Sequence, residues 1–178
     1  MILTGRSAPA TPHQPGPLLP RPRPGSLRWE HLYATGEAAS SVVANPHLGF
    51  ADGRAREAME RYASVLGGDL SVTSYTDLGS DGPLGDLVGH ALLVTPGGIV
   101  LTGADVQPGT QVQVGDSVAV SLSGSAEDAE QLRGWFDALA EGGQVRQPLA
   151  AAAWGHEVGM LVDRFGIAWV VTIAGPGA

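Results

Sequence analysis

The side chains able to do chemistry are few, and nearly all are imidazoles or carboxylates. The 178 residues include five His and eighteen Asp or Glu, all ten basic residues are Arg, and there is no Cys. That composition excludes disulfides, thiol nucleophiles, Cys-rich zinc sites and a Schiff-base lysine. Two runs begin like catalytic motifs and then break. Gly115-Asp116-Ser117-Val118-Ala119 lacks the last glycine of a nucleophile elbow, and a strand pattern follows it instead of a helix. His156-Glu157-Val158-Gly159-Met160 starts like a zinc-protease helix but has Met where the second His must stand. The loop glycines Gly79, Gly82 and Gly85 make no dinucleotide fingerprint. His90, within Gly89-His90-Ala91-Leu92, lies on a strand, where a lone imidazole is ordinarily a hydrogen-bonded core residue. Facing a cavity instead, it would act as a general base or hold a ligand oxygen. If His47 and His90 converge with Glu157, they form a three-ligand site for a divalent metal. Tyr75 and Trp154 suit the aromatic walls of a binding cup, and equally core or dimer contacts.

Those residues must be positioned by short elements, since 26 Gly and 13 Pro favour turns over long helices. Val43 to Phe50 reads as a strand, with Asp52 as N-cap of the helix that follows. Ala55, Ala58, Met59, Tyr62, Val65 and Leu66 recur at helical spacing, and Gly67-Gly68 ends the run. Leu70–Thr76 reads as a strand, Asp77–Asp86 as a loop, and Val88–Val94 with Ile99–Thr102 as a hairpin. The order then repeats. Ser117–Leu122 alternates, and Ser125 and Asp128 have capping-box spacing. Ala129, Leu132, Phe136, Leu139 and Ala140 line a second helix, which Gly142-Gly143 stops. A strand from Val145 leads into a closing hairpin, Gly159–Val162 and Ile167–Ile173, around Asp163-Arg164-Phe165-Gly166. Apolar residues on both faces of the last strand predict burial on both sides. The chain is therefore α+β, built from two βαβββ modules over residues 43–105 and 116–174. Each sheet has a helix on one face and needs cover on the other.

The ordered run Trp154-Gly155, Gly159-Met160, Asp163-Arg164-Phe165-Gly166 and Trp169 resembles the vicinal oxygen chelate superfamily of glyoxalase and bleomycin-resistance relatives. More narrowly it looks like the PhnB-like branch, whose members often carry a demethylubiquinone methyltransferase label. No Gly-rich cofactor turn between a strand and a helix supports that label here. The resemblance spans about Val43 to Ile173. It implies two curved sheets, mostly antiparallel, wrapping a cup that holds a small molecule, and a homodimer. It also implies His or Glu ligands to a divalent ion near the ends of four strands. His47 falls where the first ligand sits in such proteins. The other positions offer Leu101 or Thr102, Ser117 or Val118, and Trp169 or Val170. One matching ligand implies no tightly held metal and no expected cofactor. A small-molecule binder is therefore the first expectation, with His47, Tyr75, His90 and Trp154 as ligand-binding candidates. The alternatives are a metal-dependent lyase, isomerase or dioxygenase using His47, His90 and Glu157, and a non-catalytic interaction protein with a docking tail.

Residues 1–41 hold seven of the thirteen prolines and no hydrophobic period, which predicts a disordered or extended tail. The domain proper runs over residues 42–178. Residues 1–42 carry four Arg against two acids, a charge of +2, and the remainder six Arg against sixteen acids, a charge of −10. An acidic body repels nucleic acid, whose binding depends on neutralising phosphates. No apolar run approaches the roughly 20 residues of a membrane span, and no signal-peptide pattern precedes the prolines. The cytoplasm is the default expectation.

Overall fold

A computed structural model describes residues 44–80, 82–110, 112, 115 and 117–175. The chain separates into two units, residues 1–41 and 42–178, and the described residues belong to the second. The expectation of a proline-rich tail lies outside them.

Module one consists of β1 (His47–Phe50), α1 (Ala55–Leu66), β2 (Asp69–Ser74), β3 (Val88–Val94) and β4 (Val100–Asp105). Module two consists of β5 (Val120–Gly124), α2 (Ala129–Ala140), β6 (Gln144–Ala151), β7 (Glu157–Val162) and β8 (Ala168–Ile173). The sheets have matching orders, β1-β4-β3-β2 and β5-β8-β7-β6. In each, the first strand runs parallel to the last and the other pairs are antiparallel. The fold is α+β with two βαβββ modules, as the periodicity predicts.

The doubled glycines are explained by close approach as well as by helix termination. A Cβ on Gly68 would run into the carbonyl of Val94, and one on Gly143 into that of Val162. Each glycine thus lets a helix exit pass under the end of the central hairpin strand. The two hairpin turns also correspond. Thr95 and Asp163 each donate their backbone amide to the carbonyl of the residue four positions on, Ile99 and Ile167, and each side chain accepts that residue's amide in return.

Asp52 is not the cap of α1. It sits in the preceding turn at φ 59°, and Arg54 at the N-cap makes no side-chain capping bond. The buried Asp105 does that work from the end of β4. Its Oδ1 accepts the Ala55 amide at 2.8 Å and its Oδ2 the Val88 amide at 2.8 Å. The parallel pairing of β1 with β4 sets Asp105 beside Phe50, just ahead of the helix, where unpaired helix amides need an acceptor. In module two the local capping box at Ser125 and Asp128 is present, with a turn of 3-10 helix at Ala126–Asp128 leading into α2.

One core joins the modules, and it lies on their helix-bearing faces. Phe50, Met59, Tyr62, Leu93 and Leu101 of module one cluster with Leu132, Phe136, Leu161, Trp169 and Val171 of module two. At its centre the buried Asp163 accepts the Tyr62 hydroxyl at 2.7 Å and the Trp169 indole N–H at 2.8 Å on one oxygen. Its other oxygen takes the amides of Phe165 and Ile167 at 2.8 and 3.0 Å. Burial, and then the adjacent Asp163 carboxylate, push the Tyr62 phenol far above its ordinary value, so it stays a donor. Outside this clasp the Arg54 and Arg164 guanidiniums lie 4.8 and 4.9 Å from the Phe165 ring centroid, and Glu57 pairs with both. Arg61 of α1 reaches the Ala138 carbonyl and Glu141 beyond α2.

The opposite face of each sheet is open. On β8, Trp169, Val171 and Ile173 are buried, whereas Ala168, Val170 and Thr172 are only half-buried. The expectation that this strand is buried on both sides therefore fails within one chain. Among the described residues the two modules meet through their helix-bearing faces, and their open sheet faces enclose no hollow with one another there. The crevice beside Asp163 measures about 10 Å³, room for one water at most.

Candidate functional site

Pleat alternation puts His47 and Gly49 of β1, Thr102 and Ala104 of β4, His90 and Leu92 of β3, and Ser71 and Thr73 of β2 on the open face of module one. The pairings are His47 with Thr102, Thr102 with Leu92, and Thr73 with His90. Gly89 is the unpaired residue where the β2–β3 register shifts, so Val88 turns to the core while His90 keeps the open face. Two imidazoles therefore share one surface, edged by hydroxyls. Partial burial, and then the positive charge that His47 can carry, hold the His90 imidazole below its usual value. At neutral pH His90 is an uncharged group that can accept or donate a proton. His47 is exposed, and its Nδ1 lies 2.9 Å from the Thr102 hydroxyl.

The remaining candidates go elsewhere. Glu157 pairs in register with the buried Ile173, so it points to the helix side of the other sheet. There Arg133 of α2 holds it through two bonds, one from Nε at 3.2 Å. The predicted grouping of His47, His90 and Glu157 is therefore not assembled in the chain. Tyr75 follows β2 and donates its hydroxyl to the Asp105 carbonyl at 3.1 Å, which fastens the loop to the end of β4. Trp154 is 70% exposed in the turn between β6 and β7. His156, in the same turn, accepts the Gly175 amide on Nδ1 at 3.0 Å.

Quasi-symmetry tests the metal site that the resemblance implies. His47 stands opposite Thr102 on the parallel pair of module one, and Ser121 stands opposite Val170 on that of module two. Both His47 and Ser121 lie eight residues before their helix starts. The equivalent position on β5 is thus Ser121, not Ser117 or Val118, because the strand begins only at Val120. One imidazole, two hydroxyls and a hydrocarbon occupy the four positions, a poor donor set for a divalent ion. Among the described residues no three His, Asp or Glu side chains group to hold one. No metal-dependent step follows from these residues.

Module two's open face differs in chemistry. Val158, Met160 and Val162 of β7 and Ala168, Val170 and Thr172 of β8 lie there beside Ser121 and Ser123, with Met160 40% exposed. Sequence reasoning missed Thr102 as His47's partner, since 55 residues separate them and only the strand register joins them.

Comparison with known proteins agrees with this architecture. The family model for the glyoxalase/bleomycin resistance protein/dioxygenase superfamily matches residues 45–171. A protein from Pseudomonas aeruginosa, PA1353, is 32% identical with a TM-score of 0.66, over 75% of this chain and 98% of its own. The PhnB protein of Bacillus cereus is 25% identical with a TM-score of 0.59, over 75% of this chain and all of its own. Protein YjdN of Escherichia coli strain K12 is 25% identical over 142 residues, 72% of this chain and 93% of that protein. Among the described residues no helix is long and apolar enough to cross a membrane.

Proposed function

Because the chain belongs to the glyoxalase/bleomycin resistance protein/dioxygenase superfamily, we propose that it binds a small organic molecule on the open face of module one, without a resident metal. The hollow is closed by a second copy of the chain. The observation that carries this reading is the pair of unpartnered sheet faces with complementary character. One bears two imidazoles, His47 and His90, beside Thr102, Ser71 and Thr73, and the other bears Val158, Met160, Val162 and Val170 beside Ser121, Ser123 and Thr172. In a twofold dimer, the imidazole-bearing face of each protomer set against the valine- and methionine-bearing face of its partner builds two equivalent cups. An apolar wall with a few convergent polar groups is what a small-molecule site requires. His47 and His90 supply the polar contacts. Tyr75 supports the site from behind, through the end of β4, and Trp154 lies at the far turn of module two. Whether binding ends in chemistry depends on the ligand, and two imidazoles on one face suffice for a proton transfer.

Two measurements test the reading together. Light scattering should give twice the chain mass, and a metabolite and antibiotic panel should give hits in thermal shift that His47→Gln and His90→Gln weaken. A monomer with no hit would sink it. The alternative, a divalent-metal-dependent lyase, isomerase or dioxygenase, keeps His47 as one donor. Protein purified without chelator and carrying stoichiometric metal would favour that alternative.

A further inference from the structure

We propose that Thr102 is a positioning residue that locks the neutral His47 ring with its proton on Nδ1, leaving Nε2 as a bare lone pair on the open face. The argument is one of proton counting. A threonine hydroxyl has one proton and two lone pairs. Thr102 Oγ1 lies 3.0 Å from the carbonyl oxygen of Pro46 and 2.9 Å from His47 Nδ1. A carbonyl can only accept, so the single hydroxyl proton goes to Pro46. The contact with His47 must then run the other way, from Nδ1–H to the hydroxyl oxygen. In a neutral imidazole that leaves Nε2 unprotonated.

The relay is anchored in the sheet. The same Pro46 carbonyl accepts the Thr102 amide at 3.1 Å, the bond that begins the parallel pairing of β1 with β4. Strand register thus fixes the acceptor, the acceptor orients the hydroxyl, and the hydroxyl selects the tautomer. Module two has no counterpart, because Val170 stands where Thr102 does.

The consequence concerns ligand class, and it rests on the binding reading above. A bare Nε2 beside an uncharged His90 favours a group that brings a proton, such as a hydroxyl, amine or ammonium. A carboxylate or phosphate oxygen would meet a lone pair instead.

The experiment uses the full chain labelled with 15N-histidine and long-range 1H–15N correlation on the alkaline side of the imidazole titration. His47→Gln assigns the signals. The wild type and Thr102→Ser should both show a protonated Nδ1 and an unprotonated Nε2 for His47. Thr102→Val, equal in shape but without the hydroxyl, should shift His47 to the mixture of a solvated imidazole. A wild-type ring protonated on Nε2, or a Thr102→Val spectrum identical to wild type, overturns the proposal. The same proteins then enter the thermal-shift panel. Hits that carry O–H or N–H donors and weaken severalfold in Thr102→Val support the ligand class, and hits that are all anions overturn it. The expected tautomer with no hit at all removes the binding reading and leaves the Thr102 assignment in place.

Discussion

The two modules share a strand order, a doubled glycine after the helix and a four-residue hairpin turn, yet they divide their labour. In module one the turn opens with Thr95, whose hydroxyl serves only its own turn. In module two the same position is Asp163, and its second oxygen reaches across to Tyr62 and Trp169. The helix starts differ too. α1 is capped by Asp105 from 50 residues away, and α2 is preceded by a local capping box. The open faces differ again: hydroxyls edge both, but one carries two imidazoles and the other valines and a methionine. A repeated frame constrains backbone and glycines strictly, while each side chain placed on it remains free to take a separate task.

Asp163→Ala against Thr95→Ala should separate the two turns most widely. The first strands a buried phenol and a buried indole N–H and removes two turn bonds, at a cost of roughly 3–5 kcal/mol from several lost partners. The second loses one turn contact, about 1 kcal/mol. Chemical denaturation of both variants measures the gap, and equal losses would mean that Asp163 does not join the modules. The next contrast is Asp105→Ala against Ser125→Ala, about 2–3 kcal/mol against about 1 kcal/mol. The buried carboxylate serves two amides on different elements, whereas Ser125 is exposed at its helix start.

Surface substitutions test the open faces. Val170→Glu should leave the monomer's fold and stability within about 0.5 kcal/mol, since its side chain avoids the core, and should dissociate the proposed dimer in sedimentation velocity. The smallest effect concerns titration. Because the charge of His47 is one of two causes holding the His90 midpoint down, His47→Gln should raise it. Burial is the larger cause, so the midpoint stays below that of a free histidine. An NMR pH titration showing a fall, or no change, would separate the two rings.

Much of the fold was legible. Helical spacing in Ala55–Leu66 and Ala129–Ala140 and alternation in the last strand are local signals, and both glycine pairs read as stops. The motif from Trp154 to Trp169 marked the family. The candidate site was legible only as residue types. Residue types name His47, His90 and Glu157 as candidates to converge, because a sequence does not say which side of which sheet a strand presents; the first two share one face and Glu157 does not join them. The register with Ile173 sends it to Arg133 instead. The expectation of a doubly buried β8 failed for a related reason. Apolar residues on a face say that it wants cover, not that its own chain supplies it.

By itself the chain determined its elements, its repeat and its lack of thiol, lysine and motif-borne catalysis. These follow from contacts a few residues long and from composition. Tertiary structure alone decided that the modules join through Tyr62, Asp163 and Trp169, that Asp105 caps α1, and that Thr102 meets His47. Each of the latter is a hydrogen bond between side chains and partners set by strand register or helix docking. Such geometry exists only once distant segments are packed, because one residue of slip would turn every one of those groups to the opposite face.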